Sequence, residues 1–168
     1  MTRWTWLGHS AVRLQTNDGK VLLIDPFLSR NPRCPEALRA PERVDAILLT
    51  HAHSDHLGDT VALARRHGAA VVSNFEIACR LEARGVQTTV GMNPGGTVEV
   101  AGVSVSMVRA DHSSSFAPDD SGRSDYGGVA AGLMIRPPGG EMVYHAGDTA
   151  LFGEMRDFAD LYAPTMAF

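Results

Sequence analysis

The sequence is poor in lysine, in cysteine and in long apolar segments, and each shortage argues against a class of protein. Lys20 is the only lysine, and 19 acidic against 15 basic residues give a net charge of −4, which does not suit binding of nucleic acid through its phosphates. Cys34 and Cys79 are a poor disulfide framework and form no CxxC pair. No apolar run approaches the roughly 20 residues that cross a bilayer, and no signal-like segment opens the chain. We therefore expect a cytoplasmic protein that acts on neither nucleic acid nor membrane.

The order of apolar segments predicts a mixed α/β (α+β) fold in one domain over residues 1–168. In the first half, strands are predicted at 3–7, 11–15, 20–24, 44–50, 69–73 and 86–90, and helices at 59–67 and 75–84. Two hairpins and a helix follow, with strands at 97–100, 103–110, 129–136 and 141–146 and the helix at 151–161. The alternation of strands and helices is the feature that indicates this class.

A long polar loop and an abrupt ending are the two irregular features of the chain. The segment from Asp111 to Gly128 is long for a connection, which favours a functional loop. Arg123 and Tyr126 within it are candidate substrate contacts, although a solvated hairpin loop explains either residue equally well. Residues 164–168 resemble the start of another buried strand, and a domain seldom ends on entering its core. We therefore expect a C-terminally truncated domain.

The cluster His51-Ala52-His53-Ser54-Asp55-His56 is the strongest functional signal. Three of the seven histidines lie within it, directly after a predicted buried strand. Residues two apart on an extended backbone point to the same side, so His51 and His53 are placed to bind one metal ion. After the following turn, Asp55 and His56 are placed to bind a second ion. Imidazole and carboxylate ligands together suit Zn, Mn, Fe or Ni.

Two further candidate ligands, His112 and Asp148, follow predicted strands in the second half. A site with two histidines needs a third nitrogen, and His112 is placed to supply it. Asp148 is placed either to bridge two cations with its two oxygens or to cap the helix after it. His145, three residues earlier, fits a role beside the substrate and an ordinary core position about equally.

His9 and Asp25 are the candidates in the first quarter of the chain. His9 lies in the turn Gly8-His9-Ser10 between two predicted strands, where it is either a site residue or a loop histidine. Asp25 follows a buried strand, and its carboxylate is placed to hold a metal-binding histidine in one tautomer.

These motifs together resemble the metallo-β-lactamase superfamily, whose HxHxDH signature corresponds to His51, His53, Asp55 and His56. The segments LGHSAV, LLIDPFL, LLTHAHSDHLGD, ADHSSS and YHAGDT resemble a branch of metal-dependent hydrolases similar to the ascorbate-6-phosphate lactonase. The resemblance implies an αββα sandwich with two metal ions at one edge. It also implies that His51, His53 and His112 bind the first ion, that Asp55 and His56 bind the second, and that Asp148 bridges them.

The same resemblance implies that part of the superfamily pattern is missing. Members supply a last histidine for the second ion after the helix that follows the GDT motif, and the sequence reaches Phe168 before such a segment. We therefore expect the sandwich to lack its C-terminal strand and helix, and the second ion to lack one ligand, since no other histidine is expected to serve. An N-terminal histidine near the metals in this branch corresponds to His9.

Metal-dependent hydrolysis is the activity that these residues predict. Two divalent ions, Zn first and Mn, Fe or Ni as alternatives, would lower the pKa of a shared water towards ~7. The resulting metal-bound hydroxide would attack a small ester, lactone or phosphoester. Asp55, His9 and His145 are the catalytic candidates, with Asp55 moving the proton. The charge of the ions makes an anionic small-molecule substrate compatible with the acidic chain.

Two other functions fit parts of the pattern. A metal-dependent phosphodiesterase or nuclease of the same superfamily would need a clamp for nucleic acid, and the sequence has no cluster of basic residues. A metal-binding fragment without activity would fit the missing ligand. The metal content distinguishes them, because an intact dinuclear hydrolase holds about two ions per chain. The sequence predicts no particular oligomeric state.

Overall fold

The first of two β-sheets contains six strands in chain order. The computed structural model describes residues 2–168. The strands are β1 (Arg3–Trp6), β2 (Val12–Gln15), β3 (Val21–Ile24), β4 (Ala46–Leu48), β5 (Ala70–Asn74) and β6 (Thr89–Met92). β1 to β3 pair antiparallel, and β3 to β6 pair parallel. The parallel pairing brings the carboxyl ends of β3 and β4 to the same edge of the sheet.

A 3-10 turn at Glu36–Leu38 lies between β3 and β4, and helices connect β4 to β5 and β5 to β6. They are α1 (Ser54–Leu57), α2 (Thr60–His67) and α3 (Phe75–Ala83). α2 ends at Gly68, whose left-handed φ of 65° closes the last turn. α3 begins after Asn74, whose side chain accepts a hydrogen bond from the backbone N–H of Ile77. The short α1 directly follows His53 and turns the chain away from the sheet.

The second sheet has five strands in the order β11-β10-β9-β8-β7. These are β7 (Thr97–Val100), β8 (Val103–Arg109), β9 (Ala131–Arg136), β10 (Val143–His145) and β11 (Met166–Ala167). β11 joins β10 in parallel, and the other pairs are antiparallel. The last helix, α4 (Met155–Tyr162), packs Phe158 and Tyr162 against this sheet. Within residues 2–168, every helix is too short or too polar to span a bilayer.

Three apolar clusters produce four layers. Between the sheets, side chains such as Leu14, Ile24 and Leu48 meet Val105 and Leu133. On the outer face of the first sheet, strand residues pack against α2 and α3; the cluster includes Leu23, Ile47, Val71, Leu63, Ile77 and Leu81. A smaller cluster lies under α4. The layers run helix, sheet, sheet, helix, so the predicted αββα sandwich is confirmed.

The predicted elements are present, with bounds that shift by up to four residues. The strand predicted at 86–90 begins at Thr89, because the N–H of Val86 bonds the carbonyl of Leu81 and closes α3. The helix predicted at 151–161 begins only at Met155. The predicted segment 164–168 forms a strand only at Met166–Ala167, and this strand lies at the sheet edge with Met166 42% exposed, so its predicted burial is wrong. The predicted truncation stays a prediction.

Candidate metal centre

The predicted site residues lie together where turns from both sheets meet at one edge of the sandwich. The first sheet contributes His9 between β1 and β2, Asp25 after β3, and residues 51–56 after β4. The second sheet contributes His112 after β8 and Asp148 after β10. Several of their donor atoms form groups within 4.8 Å of one another. The fold therefore brings residues far apart in sequence into one cluster.

The first donor group consists of His51, His53 and His112, each with one ring nitrogen within 4.8 Å of the others. Nε2 of His51 lies 3.0 Å from Nδ1 of His53, and the centre of the His112 ring lies 5.1 Å from each of the other two ring centres. His51 is buried, whereas His112 is at the surface. Three converging ring nitrogens match the histidine ligands of one divalent ion.

Thr50 fixes the tautomer of His51. The Thr50 hydroxyl donates to Oδ2 of Asp25 at 2.6 Å and lies 3.0 Å from Nδ1 of His51. Because a hydroxyl has one proton, Nδ1 of His51 must be the donor in the second contact, which leaves Nε2 unprotonated within the first donor group. Burial, together with the nearby His56, lowers the pKa of His51 to about 4. His51 is therefore neutral near pH 7, which is the form that binds metals.

The second donor group consists of His9, Asp55 and His56. His9 adopts a left-handed φ of 54° in the turn between β1 and β2, and its Nε2 lies 3.0 Å from Oδ2 of Asp55. The His56 side chain is fully buried, whereas those of His9 and Asp55 are 37% and 48% exposed. This group therefore has a buried side and a side open to solvent.

Asp25 orients His56 from the interior. Its Oδ2 lies 2.7 Å from Nδ1 of His56, and its Oδ1 accepts the backbone N–H of Thr50 at 2.8 Å. Burial by itself raises the pKa of Asp25, but the hydrogen bond and charge of His56 outweigh burial and lower it. Asp25 is also close to the donor atoms of His51 and His56. Because both oxygens already accept hydrogen bonds, Asp25 fits the predicted role of positioning ligands better than that of binding an ion itself.

Asp148 lies between the two donor groups. Its Oδ1 is 3.3 Å from Nε2 of His56, and its Oδ2 is 3.8 Å from Nε2 of His112. Nε2 of His56 is buried and makes no hydrogen bond. A buried polar atom without a partner is destabilising, and a cation beside the Asp148 carboxylate would satisfy it. The residues present therefore fit a metal centre.

His145 connects two turns of the site through its ring. Its Nε2 lies 2.8 Å from the carbonyl oxygen of Ser10, and its Nδ1 accepts the backbone N–H of Gly147 at 3.3 Å. The side chain is buried. Because both nitrogens bond to backbone atoms, the geometry favours a positioning role over the catalytic role predicted for His145.

The loop 113–128 is anchored directly against the histidine cluster. Oγ of Ser114 accepts the N–H of Ala52 at 3.2 Å and donates to the carbonyl of Gly127 at 2.9 Å. The buried side-chain amide of Asn74 donates to the same carbonyl at 2.7 Å. A Cβ on Gly127 would lie 2.3 Å from Cβ of Ala52, so only glycine permits this approach. The loop thus packs on the residue between His51 and His53.

Comparison with known proteins identifies the family. Residues 20–167 match the model of the beta-lactamase superfamily domain. A UPF0173 metal-dependent hydrolase of Rubrobacter xylanophilus is 46% identical over 166 residues, which cover 99% of this chain and 68% of that protein. Another, of Methanosarcina mazei, is 47% identical over 165 residues, which cover 97% of this chain and 68% of that protein. The chain belongs to the UPF0173 metal-dependent hydrolases.

A solved structure agrees with this family. The metallo hydrolase Igni18 from the archaeon Ignicoccus hospitalis is 36% identical, superposes with a TM-score of 0.82, and is matched over 99% of this chain and 69% of that one. The predicted superfamily, fold and metal dependence of this hydrolase are therefore confirmed. The finer resemblance to the ascorbate-6-phosphate lactonase stays a prediction.

Two features of this hydrolase were missed by the sequence analysis, and a third was assigned a different role. His9 was predicted near the metals as a catalytic candidate, but it supplies a nitrogen to the second donor group, which no further histidine was expected to complete. Thr50 relays the contact between Asp25 and His51; its position directly before the cluster was the available signal. Ser114 lies in the ADHSSS segment, but its bond to the backbone of Ala52 has no sequence signature.

Proposed function

We propose that this hydrolase cleaves a small ester, lactone or phosphoester with two divalent cations held by the two donor groups. The observation that carries the proposal is the placement of Asp148, with one oxygen near His56 and the other near His112. A carboxylate in that position can bridge two cations, as can be seen in two-metal hydrolytic sites generally. The unpaired, buried Nε2 of His56 supports the same assignment.

The proposed ligands divide between two ions. His51, His53 and His112 would hold the first, His56 and Asp55 with His9 would hold the second, and Asp148 would contact both. Imidazole and carboxylate donors suit Zn first, with Mn, Fe or Ni as alternatives. Cations bound there would supply Lewis acidity, which polarises a carbonyl or phosphoryl oxygen and lowers the pKa of water.

Asp55, beside His9, is the residue proposed to move the proton. Their side chains are the exposed members of the second donor group and lie 3.0 Å apart. Backbone and side-chain hydrogen bonds and the neighbouring His56 outweigh the effect of burial and lower the pKa of Asp55. The carboxylate is therefore ionised near pH 7 and can accept a proton at Oδ2 from a group on the open side. Asp25, fully buried behind His56, cannot reach a substrate.

A small, anionic substrate is the partner that we propose. The basic residues are few, and the net charge is −4, so an extended polyanion such as nucleic acid would be repelled. Two divalent ions would reverse the charge locally. Tyr126 is 66% exposed in the anchored loop and is a candidate contact for such a substrate, together with Arg123. The cytoplasmic location stays a prediction.

Metal content and hydrolysis, measured on the same preparations, test the proposal. We expect elemental analysis to find about two ions per chain. Within a panel of small esters, lactones and phosphoesters, hydrolysis should be sensitive to a chelator. His53→Ala should lose both metal and activity. His67→Gln is the matched control, because His67 lies on α2 outside both donor groups. Absence of bound metal, or hydrolysis unchanged by a chelator and by His53→Ala, would overturn the proposal.

A further inference from the structure

An apolar cavity of about 250 Å³ adjoins the second donor group. Its walls include Trp6, Val12, His145 and Phe168, and His9 and Gly147 line it as well. His9 belongs to the second donor group, and Gly147 directly precedes Asp148. A group held in this cavity would therefore be attached next to the place where the proposed reaction occurs.

The aromatic walls of the cavity are fixed in place. Nε1 of Trp6 donates to the carbonyl of His9 at 2.7 Å, although the Trp6 side chain is 62% exposed. Phe168 is held by backbone hydrogen bonds to Tyr144 and Ala146, and its ring centre lies 5.9 Å from that of Trp4. Walls that are ordered before a ligand arrives favour binding, because less side-chain freedom is lost.

Three of the four histidine ring nitrogens in the lining of the cavity are already engaged, and besides Nε1 of Trp6 the Ser10 hydroxyl is the other polar side-chain group there. Both ring nitrogens of His145 contact backbone atoms, and Nε2 of His9 contacts Asp55. Among the described residues that line the cavity, none is an aspartate, glutamate, lysine or arginine. A charged group placed there would lose its hydration without gaining a partner. The cavity therefore suits an uncharged apolar group.

We infer that the cavity binds an uncharged ring, or a branched chain of similar size, carried by the substrate next to its scissile bond. This inference rests on the proposed hydrolytic function and specifies its substrate class. An apolar protein cavity of roughly 150 Å³ is large enough for benzene, so the size of this cavity matches a six-membered ring. Exposure of the Trp6 face is expected for a ligand-binding surface.

Binding of a neutral probe tests the cavity without requiring catalysis. Benzyl alcohol and ethanol are titrated into the protein and followed by ligand-observed NMR. We expect wild type to bind benzyl alcohol more tightly than ethanol. Trp6→Ala should bind benzyl alcohol roughly tenfold more weakly than wild type, and Trp6→Phe should regain most of the affinity. Phe75→Ala is the matched control, since it removes an aromatic ring that is 57% exposed and does not line the cavity.

Hydrolysis of cyclohexyl acetate and ethyl acetate, compared as kcat/KM, tests the substrate class. We expect a preference of about tenfold or more for the cyclohexyl ester, which Trp6→Ala loses and Phe75→Ala keeps.

Benzyl alcohol binding through Trp6 without hydrolysis of any substrate in the panel would support the cavity and reject the proposed activity. Hydrolysis of both esters at equal rates in wild type and Trp6→Ala would reject the cavity and keep the activity. A dimer in sedimentation that Trp6→Ala dissociates, with no alcohol binding, would mean that a second copy covers this surface and would overturn the inference.

Discussion

Oδ2 of Asp25 lies 2.7 Å from Nδ1 of His56, and neither side chain is exposed to solvent. The carboxylate accepts the Nδ1 proton, which keeps Nε2 directed towards Asp148. Thr50 donates to both oxygens of Asp25, from its backbone N–H to Oδ1 and from its hydroxyl to Oδ2. This buried contact therefore controls the orientation and tautomer of one proposed ligand and, through Thr50, those of His51.

Replacing Asp25 by Asn should weaken metal binding and leave most of the fold intact. Either orientation of the Asn amide loses a contact, because an NH₂ that faces His56 cannot accept the Nδ1 proton and an NH₂ that faces Thr50 opposes the backbone N–H there. Asn also tolerates the left-handed φ of 45° at this position. We expect metal affinity to fall by about 10- to 100-fold, measured by competition with a chromogenic chelator.

Asp25→Asn must keep its fold for that result to be meaningful. Circular dichroism of the metal-free protein checks this, and His67→Gln, outside both donor groups, gives the reference affinity. Wild-type metal affinity in a folded Asp25→Asn would contradict the positioning role of Asp25.

Asp148→Asn and Asp55→Asn should each abolish most hydrolysis without unfolding the protein. Both side chains are partly exposed, so an amide of the same shape is accommodated without burying a new polar group. The loss of a bridging or proton-accepting carboxylate should lower kcat/KM by roughly a hundredfold or more. Steady-state kinetics with the best substrate of the panel measure the effect, and thermal unfolding verifies the fold. Wild-type turnover in both variants would reject the assigned roles.

Gly127→Ala should destabilise the protein and disturb the first donor group. The new Cβ would lie 2.3 Å from Cβ of Ala52, which connects His51 and His53, so the loop or the cluster must move. We expect a loss of about 1–3 kcal/mol in the free energy of unfolding, measured with urea, and weaker metal binding. Gly153→Ala is the control, because a Cβ there meets nothing within 4 Å and should change stability little. Equal stability of the two variants would contradict the close packing of the loop.

Asp45 should make stability depend on pH in the acidic range. Burial raises the pKa of Asp45, but hydrogen bonds from Arg43 and from the backbone N–H of Val21 outweigh it, so the folded pKa is lowered. A lowered folded pKa means that the contribution is present above the unfolded pKa of about 4 and is lost as pH falls through the folded pKa. We expect Asp45→Asn to unfold about 1 kcal/mol more easily near neutral pH, with the difference from wild type shrinking in acid.

Urea unfolding of both proteins across this pH range measures that difference. Asp160→Asn, which changes an exposed carboxylate on α4, should show no such trend. A difference between wild type and Asp45→Asn that is constant or grows as the pH falls would contradict the role of the Asp45 hydrogen bonds.

The residues that could be predicted from the sequence are those with a rare composition or a fixed period. Three histidines in six residues after an apolar strand predict a metal site because the strand period places two of them on one side. His112 and Asp148 could be predicted because each follows a predicted strand and because a site with two histidines needs a third nitrogen. The mixed α/β class followed from the hairpin and strand–helix patterns, since side-chain alternation is local information, whereas the two-sheet sandwich was implied by the family resemblance.

The features that could not be predicted depend on contacts between distant residues of ordinary type. Ser114 and Ala52 are 62 positions apart and bond through a backbone N–H, which no composition or period reveals. His9 reaches Asp55 only because its backbone adopts a left-handed turn, a conformation set by packing. Val86 looked like a strand residue, but its N–H closes the end of α3.

The origin of the donor groups from both sheets has a consequence for folding. His51, His53 and His56 follow a strand of the first sheet, whereas His112 and Asp148 follow strands of the second. A cation bound to both would cross-link the two halves of the sandwich at their shared edge and would bind the native state in preference to the unfolded chain. Cation concentration would then set the resistance of the whole chain to heat and proteolysis by mass action, so metal supply would control how long the protein survives as well as whether it acts.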